Sequence, residues 1–134
     1  MKFEEIIETS QVKIGLREDG IIYLYLKDEF VFDNNAQNWL LIAYKYLCRD
    51  RNRPLVMEGG EFIRIKKEVN DYLAEYEDEF PIVSTALVAK NTAQFLLAKF
   101  FLNMNKTKIP MRIFRDKKDA FEWAKQFLES PVPL

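Results

Sequence analysis

Residues 12–26 read Val12-Lys13-Ile14-Gly15-Leu16-Arg17-Glu18-Asp19-Gly20-Ile21-Ile22-Tyr23-Leu24-Tyr25-Leu26, two strand-like runs about a turn from which the rest of the architecture follows. Val12, Ile14 and Leu16 alternate with Lys13, Gly15 and Arg17, the period-two pattern of a half-buried strand. Glu18-Asp19-Gly20 supplies an Asp-Gly turn, a strong short-range hairpin signal. Ile21 to Leu26 is apolar on both faces, which places the second strand inside the sheet. Gly15 marks a bulge or a permissive strand position, and nothing functional follows from it.

Downstream of the hairpin, helix-like and strand-like segments alternate to the end. Asp33 is placed to cap a helix whose core stripe is Ala36, Leu40, Ala43, Tyr44 and Leu47, widened by Trp39, Ile42 and Tyr46. Pro54 opens a third strand, Leu55 to Met57. After Glu58-Gly59-Gly60-Glu61, a second helix runs from about Ile65 to Tyr76, with Val69, Tyr72, Leu73 and Tyr76 on one face. Its acidic end, Glu75, Glu77, Asp78 and Glu79, opposes the helix macrodipole and is expected to fray, unless it meets a basic partner. Val83 to Ala89 form the fourth strand. Asn91 and Gln94 resemble a capping box, and Ala93, Leu96, Leu97, Phe100, Phe101 and Met104 form the next helical stripe. Phe95 and Leu102 fall off that stripe, so this helix carries more apolar surface than one contact needs. Met111 to Phe114 form the last strand. Asp116 caps a final helix with Ala120, Phe121, Trp123, Ala124, Phe127 and Leu128, stopped by Pro131 and Pro133.

The order is therefore β-β-α-β-α-β-α-β-α. It predicts an α/β class with a mostly parallel five-stranded sheet, flanked by four helices in right-handed crossovers that cover both faces. A length of 134 residues suits one domain, 1–134, with its core at about 10–129.

Composition excludes several chemistries. The chain has no histidine and one cysteine. Ser-His and Cys-His nucleophile pairs, histidine acid-base catalysis, and histidine or thiolate metal sites are thereby removed. Only a carboxylate-bound Mg²⁺ stays open, and no metal or cofactor is expected. Cys48 lies on an apolar helix and reads as a buried, inert thiol. The net charge of -1 offers no general attraction to nucleic acid or anionic lipid. Basic residues at Arg49, Arg51 and Arg53, and from Lys106 to Lys118, read as solvated loop and helix-end charges. The N-terminus lacks a secretory signal pattern, and no apolar run approaches the roughly 18 residues of a membrane helix. A cytoplasmic location is expected.

In an open α/β sheet, ligands bind beyond the carboxyl ends of the strands. Those ends carry Lys27-Asp28-Glu29, Glu58-Gly59-Gly60-Glu61-Phe62, Lys90-Asn91-Thr92 and Arg115-Asp116. The Gly59-Gly60 pair fits no phosphate-loop pattern, and Glu58 and Glu61 flank it, so a structural turn is the expected reading. Glu58 and Glu61 could form an acid-base pair, or hold a metal with Asp116, if their surroundings separated their pKa values; exposed loop glutamates are the plainer reading. Asn91 reads as a cap and Lys90 as a possible anion contact. Phe30, Phe32, Phe62, Phe95, Leu102 and Met104 exceed one obvious core. A partner face or an apolar pocket would use them; packing under loops is the plain alternative.

With these residues in hand, the chain resembles the SpoIIAA-like/STAS superfamily and, within it, a small bacterial STAS-like family. The features that carry the resemblance are the hairpin Glu18-Asp19-Gly20-Ile21, Pro54-Leu55-Val56-Met57, Lys67 to Ala74, Ala86-Leu87-Val88, Phe100 to Lys106, Ile109 to Phe114 and Asp119 to Ala124. The resemblance implies a β-α sandwich and a non-enzymatic domain that acts through partners or a bound small molecule. Anti-sigma-factor antagonists of this superfamily are switched by phosphorylation of a serine after a central strand. The matching stretch here, Glu58 to Lys66, contains no serine or threonine. The expected function is a regulatory or protein-interaction domain, with self-association or a protein partner engaging the helix around Phe95, Phe101, Leu102 and Met104. The alternative is a carrier or sensor of a small, lipid-like apolar ligand, in analogy to the fold-related CRAL-TRIO domains. An enzyme using Glu58, Glu61 or Asp116 is the remaining reading.

Overall fold

The computed structural model describes residues 1–104 and 108–128, with the Met104 side chain outside that set. Pro131 and Pro133 also lie outside the described residues. The strands are β1 (Phe3–Glu8), β2 (Val12–Arg17), β3 (Ile22–Leu26), β4 (Val31–Phe32), β5 (Arg53–Gly59), β6 (Arg64–Ile65), β7 (Ile82–Val88) and β8 (Met111–Phe114). The helices are α1 (Asn34–Cys48), α2 (Glu68–Tyr76), α3 (Thr92–Met104) and α4 (Lys117–Lys125).

The main sheet has six strands in the order β1-β2-β3-β5-β7-β8, and β4 pairs with β6 in a second, two-stranded sheet. β1-β2 and β2-β3 are antiparallel, while β3-β5, β5-β7 and β7-β8 are parallel. From β3 onward the strands step in one direction across the sheet. With one hand of crossover, such an order puts every connecting helix on the same face. Accordingly, residues of α1, α2 and α3 share one core with Ile22, Leu24, Leu55, Met57 and Leu87. On the opposite face α4 packs Ala120, Phe121 and Ala124 against Tyr23, Val56, Ala86 and Val88.

The hairpin forms as read, with Leu16 opposite Ile22. The Asp19 carboxylate accepts from the backbone N–H of Ile21 and pairs with Arg17 at 2.7 Å. Asp33 caps α1 by accepting from Ala36 N at 2.9 Å. Asn91 accepts from Gln94 N at 2.9 Å, and the Gln94 side chain takes the Lys90 N–H at the same distance. Asp116 caps α4 through Lys118 N at 2.8 Å.

Five expectations need correction. The sheet has a sixth strand, β1, on its outer edge. The register of β1 shifts between Phe3 and Glu5, and although burial alternates along the strand, Glu5 takes a half-buried position and Ile6 an exposed one, so its residue types do not show the period. The Phe3 ring folds over Gly15, where an added Cβ would come within 2.6 Å of it. Ile65 belongs to β6, and α2 begins at Glu68. The acidic end of α2 does not fray. It tightens into a 3₁₀ turn, Glu77–Glu79, with Glu79 paired to Lys45 at 3.2 Å and Glu77 accepting from the Lys108 N–H. On α1, Trp39, Ile42 and Tyr46 lie on the exposed side. α4 ends at Lys125, and Phe127 beyond it meets Trp123 edge to face.

Candidate functional site

β5 alternates across the sheet, sending Leu55 and Met57 toward α1 to α3, and Val56 and Glu58 toward α4. Glu58 is thus the last side chain on the α4 face before the Gly59-Gly60 break. It is 3% exposed, contrary to the reading of a loop glutamate in solvent. Its carboxylate meets Lys90 Nζ at 2.8 Å and Lys117 Nζ at 3.4 Å, and accepts from the Tyr23 hydroxyl at 3.3 Å. Lys90 follows β7, Lys117 opens α4 and Tyr23 lies on β3, so three elements converge on one carboxylate. The hydrogen bond and the charge of Glu58 raise the Lys90 ammonium above its ordinary pKa. Burial, then the Glu58 charge, raise the Tyr23 phenol. A buried carboxylate demands such partners.

The other rim residues do not join this cluster. Glu61 is exposed, and its backbone N–H donates to Asp28 Oδ1 at 2.9 Å. The same Asp28 oxygen sits against Gly60, whose added Cβ would overlap it. The Gly59-Gly60 turn therefore seats a side-chain carboxylate of its own chain, in keeping with a structural role. Gln94 fastens the turn to α3, its Nε2 donating to Gly59 O at 3.1 Å and Gly60 O at 3.3 Å. Asp116 is spent as a cap, and Glu58 and Glu61 form no acid-base pair. Among the described residues no group of three or more His, Cys, Asp or Glu could hold a metal ion. Thr92 is exposed, and Arg115 lies over the Phe95 ring at 5.4 Å. The anion that Lys90 meets is the Glu58 carboxylate of its own chain, 32 positions away and out of reach of a local reading.

The apolar residues divide sharply. Phe30 and Phe32 are buried in the core, edge to face at 5.6 Å. Phe101 is buried against Phe32. Phe95, Leu97 and Leu102 are half-buried, whereas Leu96 and Phe100, assigned to the core stripe of α3, are 61% and 49% exposed. The surplus apolar surface exists, but it lies on Leu96 and Phe100. Phe62, at the tip of the loop after β5, is 76% exposed and holds φ at 60°. Two apolar pockets of about 70 Å³ each lie under α2 and α3 and share Phe32, Met57 and Phe101.

A six-stranded mixed sheet with three crossover helices on one face and a closing helix on the other is a SpoIIAA-like fold. It matches the crystal structure of an uncharacterized protein from the DUF3478 family, with a SpoIIAA-like fold, from Shewanella loihica PV-4. The likeness has a TM-score of 0.50 at 12% identity over 90% of each chain, and at that identity it establishes fold alone. The chain belongs to the DUF7793 family, a domain of unknown function whose model matches residues 15–128. No curated protein matches the chain. No helix among the described residues is long and apolar enough to cross a membrane.

Proposed function

We propose that this protein is a non-enzymatic regulatory or protein-interaction domain of the STAS-like type, working without a phosphorylatable serine. The observation that carries this reading is the outer row of α3. Leu96 and Phe100 stand one turn apart in solvent while Phe101 of the same helix fills the core. Apolar side chains grouped on one face, rather than scattered singly, mark an association surface. Phe62 supports the reading. A bulky residue in the left-handed region costs about 1–3 kcal/mol, a strain that clusters at functional positions, and here it presents a bare ring. Gln94 links that loop to α3, so the ring and the row are carried by one joined unit.

The chemistry of the rim favours binding over catalysis. Both Glu58 oxygens are engaged by ammonium or phenol groups of its own chain, so the carboxylate serves internal contacts in this arrangement. Sedimentation velocity from micromolar to millimolar protein tests the proposal. A mass that rises with concentration, or a protein that copurifies stoichiometrically and is lost on Leu96→Asp substitution, is the expected outcome. A strict monomer with no copurifying protein would count against it.

A further inference from the structure

One of the two apolar pockets beneath α2 and α3 is lined by more than hydrocarbon. Gln37 and Tyr44, two turns apart on α1, and Thr85 on β7 contribute to its wall. Gln37, Tyr44 and Thr85 are only 3%, 3% and 5% exposed as residues, but the fully enclosed side-chain atoms without a partner among the described residues are Asn34 Oδ1 and Ser84 Oγ, so the three polar tips face the open space of the pocket. Three such tips around one space define a place where an occupant could bond them. Burial keeps the Tyr44 hydroxyl protonated well above the usual phenol range, so it presents an O–H donor. Gln37 adds both a donor and an acceptor.

The rest of the wall sets the remainder of the ligand. Phe32, Leu55, Phe80 and Phe101 make it apolar, and Glu77 is the one charged residue of the described lining. No lysine or arginine of the described lining would balance a carboxylate, which would enter beside a like charge. The volume of about 70 Å³ exceeds the roughly 10–15 Å³ that one water needs. It falls below the roughly 300 Å³ of a drug-sized site.

The geometry points to a binding site for a small, uncharged, mostly apolar molecule with one hydrogen-bonding group, a phenol- or alcohol-like compound whose polar end sits among Gln37, Tyr44 and Thr85. The alternative of a lipid-like ligand is narrowed to one with a compact body and a neutral head. The site is independent of the outer row of α3, so either assignment can fail alone.

An amide NMR titration with p-cresol, toluene and hexanoate tests it. p-Cresol should give saturable shifts at Tyr44, Leu55 and Met111, with hexanoate at least about tenfold weaker. Gln37→Leu with Thr85→Val should weaken p-cresol about tenfold and leave toluene unchanged or tighter. Thr85→Val alone, nearly isosteric, serves if the double variant does not fold, and should show the same direction of change. Absence of saturable shifts in the pocket would overturn the assignment. So would equal affinity for p-cresol and hexanoate, or a crystal of the soaked protein in which water alone still bonds the three side chains.

Discussion

α1 and α3 lie on the same face of the sheet, yet they are held there very differently. α1 spans 15 residues and buries seven of them, from Gln37 to Cys48. α3 spans 13 residues, and among those described only Phe101 is buried. α1 buries one full face and leaves Trp39, Ile42 and Tyr46 on the other, whereas apolar side chains stand almost all round α3. A helix apolar all round is normally enclosed by protein. α3 thus commits only part of its hydrophobicity to the domain's own core, chiefly through Phe101. Part of it flanks two small pockets, and part faces outward.

Substitution can break that contrast. Leu47→Ala removes a fully buried side chain of α1 and should cost about 3 kcal/mol. Leu96→Ala should fall within about 0.5 kcal/mol of wild type. Urea denaturation measures both, and equal losses would make the outer row of α3 part of the core. At the end of β5 the same contrast recurs between two glutamates. Glu58→Gln weakens contacts to Lys90, Lys117 and Tyr23 and should cost about 2 kcal/mol. Glu61→Gln, on an exposed side chain, should leave the denaturation midpoint in place.

Smaller effects sharpen the comparison. Asp33→Ala and Asn91→Ala each remove a cap and should each cost about 1 kcal/mol. Equal cap losses beside unequal core losses would place the difference between the helices in packing rather than in local propensity. Burial pushes the Cys48 thiol of α1 up to about 12 from 9.0. The folded chain thus keeps neutral a group that the unfolded chain ionises. Its contribution is whole below pH 9 and is lost as pH rises from 9 through about 12. Near neutral pH a thiol reagent should label native protein far more slowly than denatured protein, and labelling should accelerate across that alkaline window.

The legible parts of the fold were those written locally. The hairpin at Asp19-Gly20, the caps at Asp33, Asn91 and Asp116, and the alternation of strands and helices all depend on neighbours in sequence. β1 escaped because its burial alternates while its residue types do not: Glu5 is half-buried and Ile6 exposed, so no apolar period of two stands in the sequence. The buried face of α3 was misplaced because a helix with apolar residues at nearly every position gives periodicity nothing to choose between. Glu58 could be read as a rim residue, but its burial depends on Lys90 and Lys117, which only the folded sheet brings to it. The polar groups Gln37, Tyr44 and Thr85 were invisible as a set, since two helical turns and a distant strand separate them.

The most direct test of the bare α3 row places charge on it. In the double variant Leu96→Glu, Phe100→Glu, the melting temperature should stay within a few degrees of wild type while concentration-dependent association, followed by sedimentation, disappears. A collapse of the melting transition, or association that survives unchanged, would contradict the assignment of that row to a partner.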